Sequence, residues 1–511
     1  MAAAQSAAMR FLKLFATPLW TVVLCSLLSA CSTLPGSLTS LFAGRAETAA
    51  STPAGQPISA SPVLVPAAWS ASPTTVPGQA TAASGNGAAS TDLASWWQGF
   101  QDPQLSALIT QALQANTGLR SAQAALLQAR ALRDVKAAAL GPKLNASGSA
   151  QRSGSGTVDA SNSFQAGLDA SWEVDVFGAN GLADQAAVAD ALAASNNLAA
   201  VRVSLAAEVA STYIDLRAQQ ARLALAQGSV AAQAETLQIT RWRVQAGLAS
   251  SLDQEQGVTA SEQTGAQIPA LQSSVAQSLN ALAVLTGQAP GAVSAALVAP
   301  QFVPLPPAAW AQALPADTLR QRPDVRAAEN RITAALARAR QADAQRLPSF
   351  RISGTLGLRA LTLGALTGGG SALGSVLASV SLPVLDGGAA QAQVRAQEAA
   401  LLQARVAFDG AVLAALKDVE DALVSLQGNR ERLVRLQAAV VAATNADLLA
   451  RHRYEGGLID YRFVLDAQRT LLSTQDSLTV TRAALSADHV RLYKALGGGW
   501  TPEADLAATA P

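Results

Sequence analysis

The chain has 511 residues, half of them hydrophobic, with 14% charged, 4% aromatic and a formal net charge of +1. An ordinary soluble domain carries roughly 25% charged residues, and a near-neutral balance supplies no basic stripe for nucleic acid and no acidic field for a cationic partner. Its two histidines, His452 and His489, lie far apart with no cysteine near them, so they offer no metal centre, and no P-loop or Gly-x-Ser-x-Gly elbow points to a cofactor or an enzyme.

Arg10 and Lys13 precede an apolar run that ends in LLSACS at residues 27–32. A basic start, a short apolar stretch and small residues before the break predict a secretory signal peptide over residues 1–30. The stretch Leu28-Ser29-Ala30-Cys31 resembles the bacterial lipobox, which implies cleavage before Cys31 and acylation of its thiol by a fatty acid such as palmitate. Ser32, rather than an aspartate, after that cysteine implies sorting to the outer membrane. Residues 31–91 are rich in Ser, Thr, Ala, Pro and Gly and show no periodicity. Such a segment cannot bury enough apolar surface to offset its ordering entropy, which predicts a flexible, lipid-anchored tether.

Ordered structure is expected from SWWQGFQDPQL, residues 95–105, where Asp102-Pro103 marks a turn into a helix. Helical spacing runs over 103–140, and two strands are predicted at 143–152 and 163–176. The second strand, FQAGLDASWEVDVFG, sets Phe164, Leu168, Trp172 and Val174 on one side with Ala166 and Ala170. Gln165, Asp169, Glu173 and Asp175 take the other. From Gly178 to Gly247 there is no proline, room for about 100 Å of continuous helix at 1.5 Å per residue. Val201, Leu205, Val209, Leu216 and Leu223 form one apolar stripe along it, and Val203, Ala207, Ala210 and Ile214 a second. Two stripes imply packed neighbours on two sides. A return helix over 248–286 and a proline-rich segment over 287–317 follow.

The pattern then repeats, with a helix over 318–346, strands at 349–361 and 374–385, a proline-free run over 388–456 and a return helix over 458–496. GLRSAQ at 118–123 aligns with DVRAAE at 324–329 at an offset of 206, and Gly247-Leu248 aligns with Gly457-Leu458 at an offset of 210. The chain reads as two copies of one unit, residues 92–300 and 301–500, followed by a tail over 501–511.

The fold class is therefore mainly α with a small β part: long-helix walls plus four amphipathic strands. Strands of this length can cross a bilayer at a tilt. Four strands cannot close a barrel, and an open edge in lipid costs several kcal/mol for each unsatisfied backbone group. The closed solution is a barrel shared among several chains, with the apolar row on the lipid and Gln165, Asp169, Glu173 and Asp175 around water. On this reading a charge placed at Trp172 or Val174 meets lipid at mid-depth.

LPADTLRQRPDVRAAE (314–329), WEVDVFG (172–178), SLPVLDGG (381–388) and YKALGGGW (493–500) resemble TolC-like outer-membrane factors. Within these, the chain is similar to the OprM-type lipoproteins of resistance-nodulation-division efflux systems. The resemblance spans about residues 92–500. It implies a homotrimer, a twelve-stranded β-barrel, a periplasmic α-barrel, and an adaptor protein and inner-membrane pump as partners. It also implies that the tips Gly247, Leu248, Ser250 and Gly457, Leu458, Asp460 contact the adaptor, and that Tyr454 and Asp466 close the periplasmic mouth. Arg462 and Arg469 lie at i−4 and i+3 from Asp466, within helical reach, and extend the expected closure to a charged ring. A type I exit duct for proteins and a structural coiled-coil lipoprotein are the alternative readings.

Overall fold

The structure, a computed structural model, describes residues 93–305 and 321–500 apart from Thr157, Gly369 and Gly499. The expected signal peptide, Cys31, the tether, residues 306–320 of the second repeat and the C-terminal tail lie outside the described residues.

After a 3-10 segment at Leu93–Phe100 come α1 (Pro103–Ala115), α2 (Thr117–Ala138), β1 (Lys143–Ser155) and β2 (Val158–Val174). The long α3 (Ala179–Gln245) leads to a tip, and α4 (Ser251–Gly265) and α5 (Gln267–Leu285) return from it. A one-turn α6 (Ser294–Leu297) precedes the second unit: α7 (Pro323–Ala344), β3 (Ser349–Ala360), β4 (Ala372–Ser381), α8 (Ala389–Glu455) and α9 (Tyr461–Ala495). The duplication is plain in the lengths. Helices α2 and α7 each have 22 residues, and α3 and α8 each have 67. Both tips turn on a glycine in the left-handed region, Gly247 and Gly457, each at φ 72°.

Two expected helices are broken. The run over 103–140 divides at Asn116, whose side chain accepts from the Leu119 amide at 3.1 Å and so starts a new helix. The run over 248–286 divides at Ala266. Pro269 has no amide hydrogen for the Gly265 carbonyl, so the helical ladder fails there. The matching positions in α9 are Thr479 and Gln475, and α9 is continuous. Strand β4 ends at Ser381, before Pro383, and not at 385.

The packing centre, here the waist, lies around the middle of α3, where α1, α5 and the end of α9 meet it. Both stripes of α3 are covered there, with Leu205, Val209, Ala210, Ile214 and Leu216 buried against Trp96, Leu105, Ile109 and Leu282. Trp96 stacks on Tyr493 at 5.4 Å between centroids, which pins the start of the described chain onto the end of α9. Asp102 caps α1 through the amides of Gln104 and Leu105 and accepts the Tyr213 hydroxyl at 2.7 Å. Burial and that carboxylate push the Tyr213 phenol up to about 12. Arg217 is fully buried, 4.9 Å from the Tyr213 ring centroid, and donates to the Ala299 carbonyl at 2.8 Å.

Each return helix is tied off in the same way. Asn116 donates to the Leu285 carbonyl at 2.9 Å, and Arg322, at the matching place in the second repeat, donates to the Ala495 carbonyl at 2.9 Å. The glycines just beyond are Gly287 and Gly497, both at positive φ. A Cβ on Gly287 would lie 2.5 Å from the Ala115 carbonyl oxygen. Gly287→Ala therefore meets a collision as well as the left-handed backbone penalty of order 1–3 kcal/mol. Gly291→Ala, at φ 91° in open space, meets only the second. Thermal melts of the assembled protein should show the larger loss for Gly287→Ala; equal losses would mean that the waist relaxes freely.

Candidate functional site

The four strands form one antiparallel sheet in the order β1-β2-β3-β4. Paired residues share a face, so the register decides how the side chains sort. Trp172 pairs with Ile352, Leu168 with Leu356, Val174 with Phe350 and Phe164 with Ala360. Leu144 and Ala146 extend that face onto β1, and Val376, Ala378 and Val380 onto β4. One side of the sheet is thus apolar across all four strands, and Leu144, Leu168, Trp172, Leu356, Val376 and Val380 are exposed on it. The other side is mainly polar. Glu173 accepts from Arg351 at 3.1 Å, Asp169 accepts from Ser147 at 2.6 Å, and Thr355 bonds Ser375 at 2.7 Å. Gly167 and Gly357 face each other on that side, where a Cβ on Gly357 would come within 2.7 Å of the Ala166 carbonyl oxygen.

Three placements differ from the sequence reading. Asp175 lies beyond β2 and is not part of the polar row. Its carboxylate accepts the amides of Asn180 at 3.1 Å and Gly181 at 2.7 Å and so caps α3. Asp386 does the same for α8, through Gly388 and Ala390, and these amide bonds hold its carboxyl below the usual carboxylate range. An anion at a helix N-terminus satisfies orphan amides and the helix dipole together, which accounts for an aspartate before each glycine in WEVDVFG and SLPVLDGG. Trp172 and Val174 stand at the helix end of the sheet rather than at mid-depth. Val174 is the last residue of β2, and the Trp172 indole donates to the Leu140 carbonyl at 2.9 Å. The middle of the β2–β3 register falls at Leu168 and Asp169.

At the far end of the long helices the two tips are alike in backbone and different in chemistry. Leu248 and Leu458 are exposed, at 70% and 76%. Ser250 accepts from the Asp253 amide and Asp253 answers to the Ser250 amide, a complete capping box. Asp460 occupies the matching position but makes no side-chain cap. Arg462 does not reach Asp466. It lies 3.6 Å from Asp460 and 4.8 Å from the Phe463 ring, leaving Arg469, at 3.6 Å, as the partner of Asp466. Arg462 stands in the first turn of α9 beside the N-cap residue Asp460, whose carboxylate makes no cap, an alternative that helical spacing alone does not reveal.

Tyr454 is buried, whereas the Asp466–Arg469 pair is exposed. It packs with Tyr461, Val464 and Leu465, and its hydroxyl meets the Thr240 hydroxyl at 3.0 Å. Burial pushes the neighbouring Tyr461 phenol up to about 12. Thr240 and, with its guanidinium 4.5 Å from the Tyr454 ring centroid, Arg243 are both on α3 and are not among the sequence-predicted site residues; the match of Arg241 and Arg243 to Arg451 and Arg453 at the repeat offset of 210 is the sequence signal at this place. Among the described residues no group of His, Cys, Asp and Glu could hold a metal ion.

The family described as outer membrane efflux protein matches residues 108–288 and 314–498, which takes in both repeats, the sheet and both tips. The chain belongs to this family. It is 32% identical over 414 residues to the toluene efflux pump outer membrane protein TtgF of Pseudomonas putida, covering 79% of this chain and 85% of that protein. It is 30% identical to the cation efflux system protein CusC of Escherichia coli, covering 80% and 88%. Among solved structures, the outer-membrane channel OprN superposes with a TM-score of 0.77 at 33% identity, covering 80% of this chain and 93% of that one. This efflux protein is thus an outer-membrane component of an efflux pump, with a TolC-like fold of long helices and a small antiparallel sheet.

Proposed function

We propose that three copies of this chain form one duct that carries small toxic compounds out of the periplasm, with a resistance-nodulation-division pump and its adaptor as partners and no catalysis of its own. The observation that carries this reading is the open four-stranded sheet with one apolar face. Its edge strands β1 and β4 have no further partner among the described residues, and backbone groups in hydrocarbon must be paired. Three such sheets joined edge to edge give twelve strands and no free edge, with Phe164, Leu168, Trp172 and Val174 toward lipid and Glu173, Asp169 and Gln165 toward water. Helix α8 supports the same assembly. It contains a mostly unburied apolar stretch, and along its length Leu402, Val406, Leu413, Val424, Val434 and Val441 are exposed; it is joined to the sheet at one end and a tip at the other. Neighbouring copies are its natural cover. Acylated Cys31 would add an anchor to the same membrane.

The tips, with Leu248 and Leu458 projecting beside Ser250 and Asp460, are the contact for the adaptor. Leu248→Cys and Leu458→Cys, carried singly in the full chain, should each form a crosslink to the cognate adaptor in cells. Absence of both crosslinks with all partners expressed would remove the tips as the docking point. Loss of the gene should sensitise cells to small toxic compounds while leaving protein secretion intact; the reverse outcome favours a secretion duct.

A further inference from the structure

The polar face of the sheet changes character away from the helix end. Nearer the helices its carboxylates are engaged: Glu173 accepts from Arg351 at 3.1 Å, and Asp169 accepts from Ser147 at 2.6 Å. Arg359, the outermost cation of β3, is exposed and has no ion-pair partner among the described residues. It pairs with Gln165 on β2, and its amide donates to the Ser371 carbonyl at 2.8 Å. The Ser371 hydroxyl is committed elsewhere, to the Leu366 and Gly368 carbonyls. The nearest carboxylate on that face, Asp169, sits opposite Thr355, four residues back along β3, which is about 13 Å at 3.3 Å per residue. The same face of β1 carries Asn145, Ser147, Ser149 and Gln151, so a neighbouring copy joined at β4 brings no carboxylate to this level either.

Beside this cation lies bare backbone flanked by an apolar side chain. Two residues toward the helices, Gly357 faces Gly167 on one side and Leu373 on the other. A Cβ on Gly357 would lie 2.7 Å from the Ala166 carbonyl oxygen, so the close approach of the strands keeps this rung free of side chains. Leu373 is exposed on a face that is otherwise mainly polar, and Leu377 continues it along β4. Leu373 stands diagonal to Arg359, and diagonal cross-strand neighbours lie about 7–8 Å apart, within reach of long side chains.

We propose that Arg359, Leu373 and the bare Gly167–Gly357 rung form a contact site for amphiphilic organic anions in the outer half of the duct. The guanidinium takes the carboxylate or sulfonate as a two-point partner, and the flat apolar body lies across the glycine backbone against Leu373. The proposal rests on the reading of this face as the water-filled side of a shared barrel, and it names a class of compound that the duct engages on the way out. A single cation on an open wall binds weakly, which suits a passage that must release what enters it.

The test uses cysteine reporters in outer-membrane vesicles carrying the full chain, with oligomer level measured alongside. Gln165→Cys places a thiol beside Arg359, and Val376→Cys places one on the apolar face. The ratio of modification rates by an anionic and a cationic methanethiosulfonate cancels changes in thiol ionisation. At Gln165→Cys this ratio should fall severalfold when Arg359→Gln is added, stay near its starting value with Arg359→Lys, and shrink in high salt. Naphthalene sulfonate should slow modification of Gln165→Cys by a neutral thiol reagent more than naphthyl trimethylammonium does. Either Arg359→Gln or Leu373→Ser should abolish that protection. Arg359→Lys and the salt series carry the test if Arg359→Gln lowers the oligomer level. An unchanged ratio, or equal protection by the two naphthalene compounds, overturns the inference and leaves the barrel reading intact. If Val376→Cys reacts and Gln165→Cys does not, the faces are reversed, and the barrel reading fails together with the inference.

Discussion

Asp466→Ala should raise the resting conductance of the assembled channel severalfold and sensitise cells to large antibiotics such as vancomycin. In the single chain this carboxylate is 70% exposed and its one ion-pair partner among the described residues, Arg469, is equally exposed at 3.6 Å. A pair of that kind contributes about 0–1 kcal/mol, so neutralising it should leave chain stability nearly unchanged. The proposed three-fold assembly would alter its surroundings. Three Asp466 carboxylates brought toward one axis repel one another and draw in cations or the neighbouring Arg469 groups. The functional cost of the substitution therefore far exceeds its cost to the fold, and that contrast is the signature of a closing ring. Arg462→Ala should leave conductance closer to wild type, because Arg462 is turned to Asp460 and Phe463. Wild-type conductance and unchanged sensitivity in Asp466→Ala, at normal assembly level, would remove this residue from the closure.

Leu168→Arg should abolish insertion, whereas Glu173→Ala should leave most of the assembled protein in the membrane. Leu168 lies at the middle of the β2–β3 register, beside Asp169, and is exposed on the apolar face. A cation at the midplane of a transmembrane strand costs about 2–4 kcal/mol and falls to near zero at the interfaces. In a symmetric trimer that cost occurs three times. Trp172→Arg should be milder, since Trp172 sits at the helix end with its indole bonded to the Leu140 carbonyl, the depth at which aromatic residues favour the membrane–water boundary. Glu173→Ala loses one exposed ion pair with Arg351 on the polar face. Semi-quantitative comparison of heat-modifiable oligomer in outer-membrane fractions would rank the variants, and greater damage from Glu173→Ala than from Leu168→Arg would reverse the faces.

The sequence by itself determined the duplication, the two proline-free helices, the four strands and which side of each strand is apolar. These are properties of periodicity, and periodicity survives in a linear string: 3.6 for a helix, 2 for a strand, an offset of 206 or 210 for the repeat. It also placed both tips, because a helix reversing direction needs a residue that tolerates positive φ, and Gly247 and Gly457 supply it. It overran the helix breaks at Asn116 and Ala266, where a side-chain cap and a missing amide outweigh apolar spacing. It misjudged the depth of Trp172, since depth depends on register between strands and not on position along one.

Only the tertiary structure decided which polar residues act together. Asp175 has the strand's alternation but the helix's amides lie nearer, so it caps α3 instead of joining the polar row. Arg462 and Arg469 are both within helical reach of Asp466, yet Arg462 lies against the N-cap Asp460 and Arg469 against Asp466. The Arg243–Tyr454 and Thr240–Tyr454 contacts join residues more than two hundred positions apart, and buried Arg217 meets Gln104, Tyr213 and Ala299 from three separate segments. A hydrogen bond of a few ångströms depends on where helices cross, and crossing is fixed by side-chain packing over the whole wall rather than by any stretch of sequence read alone.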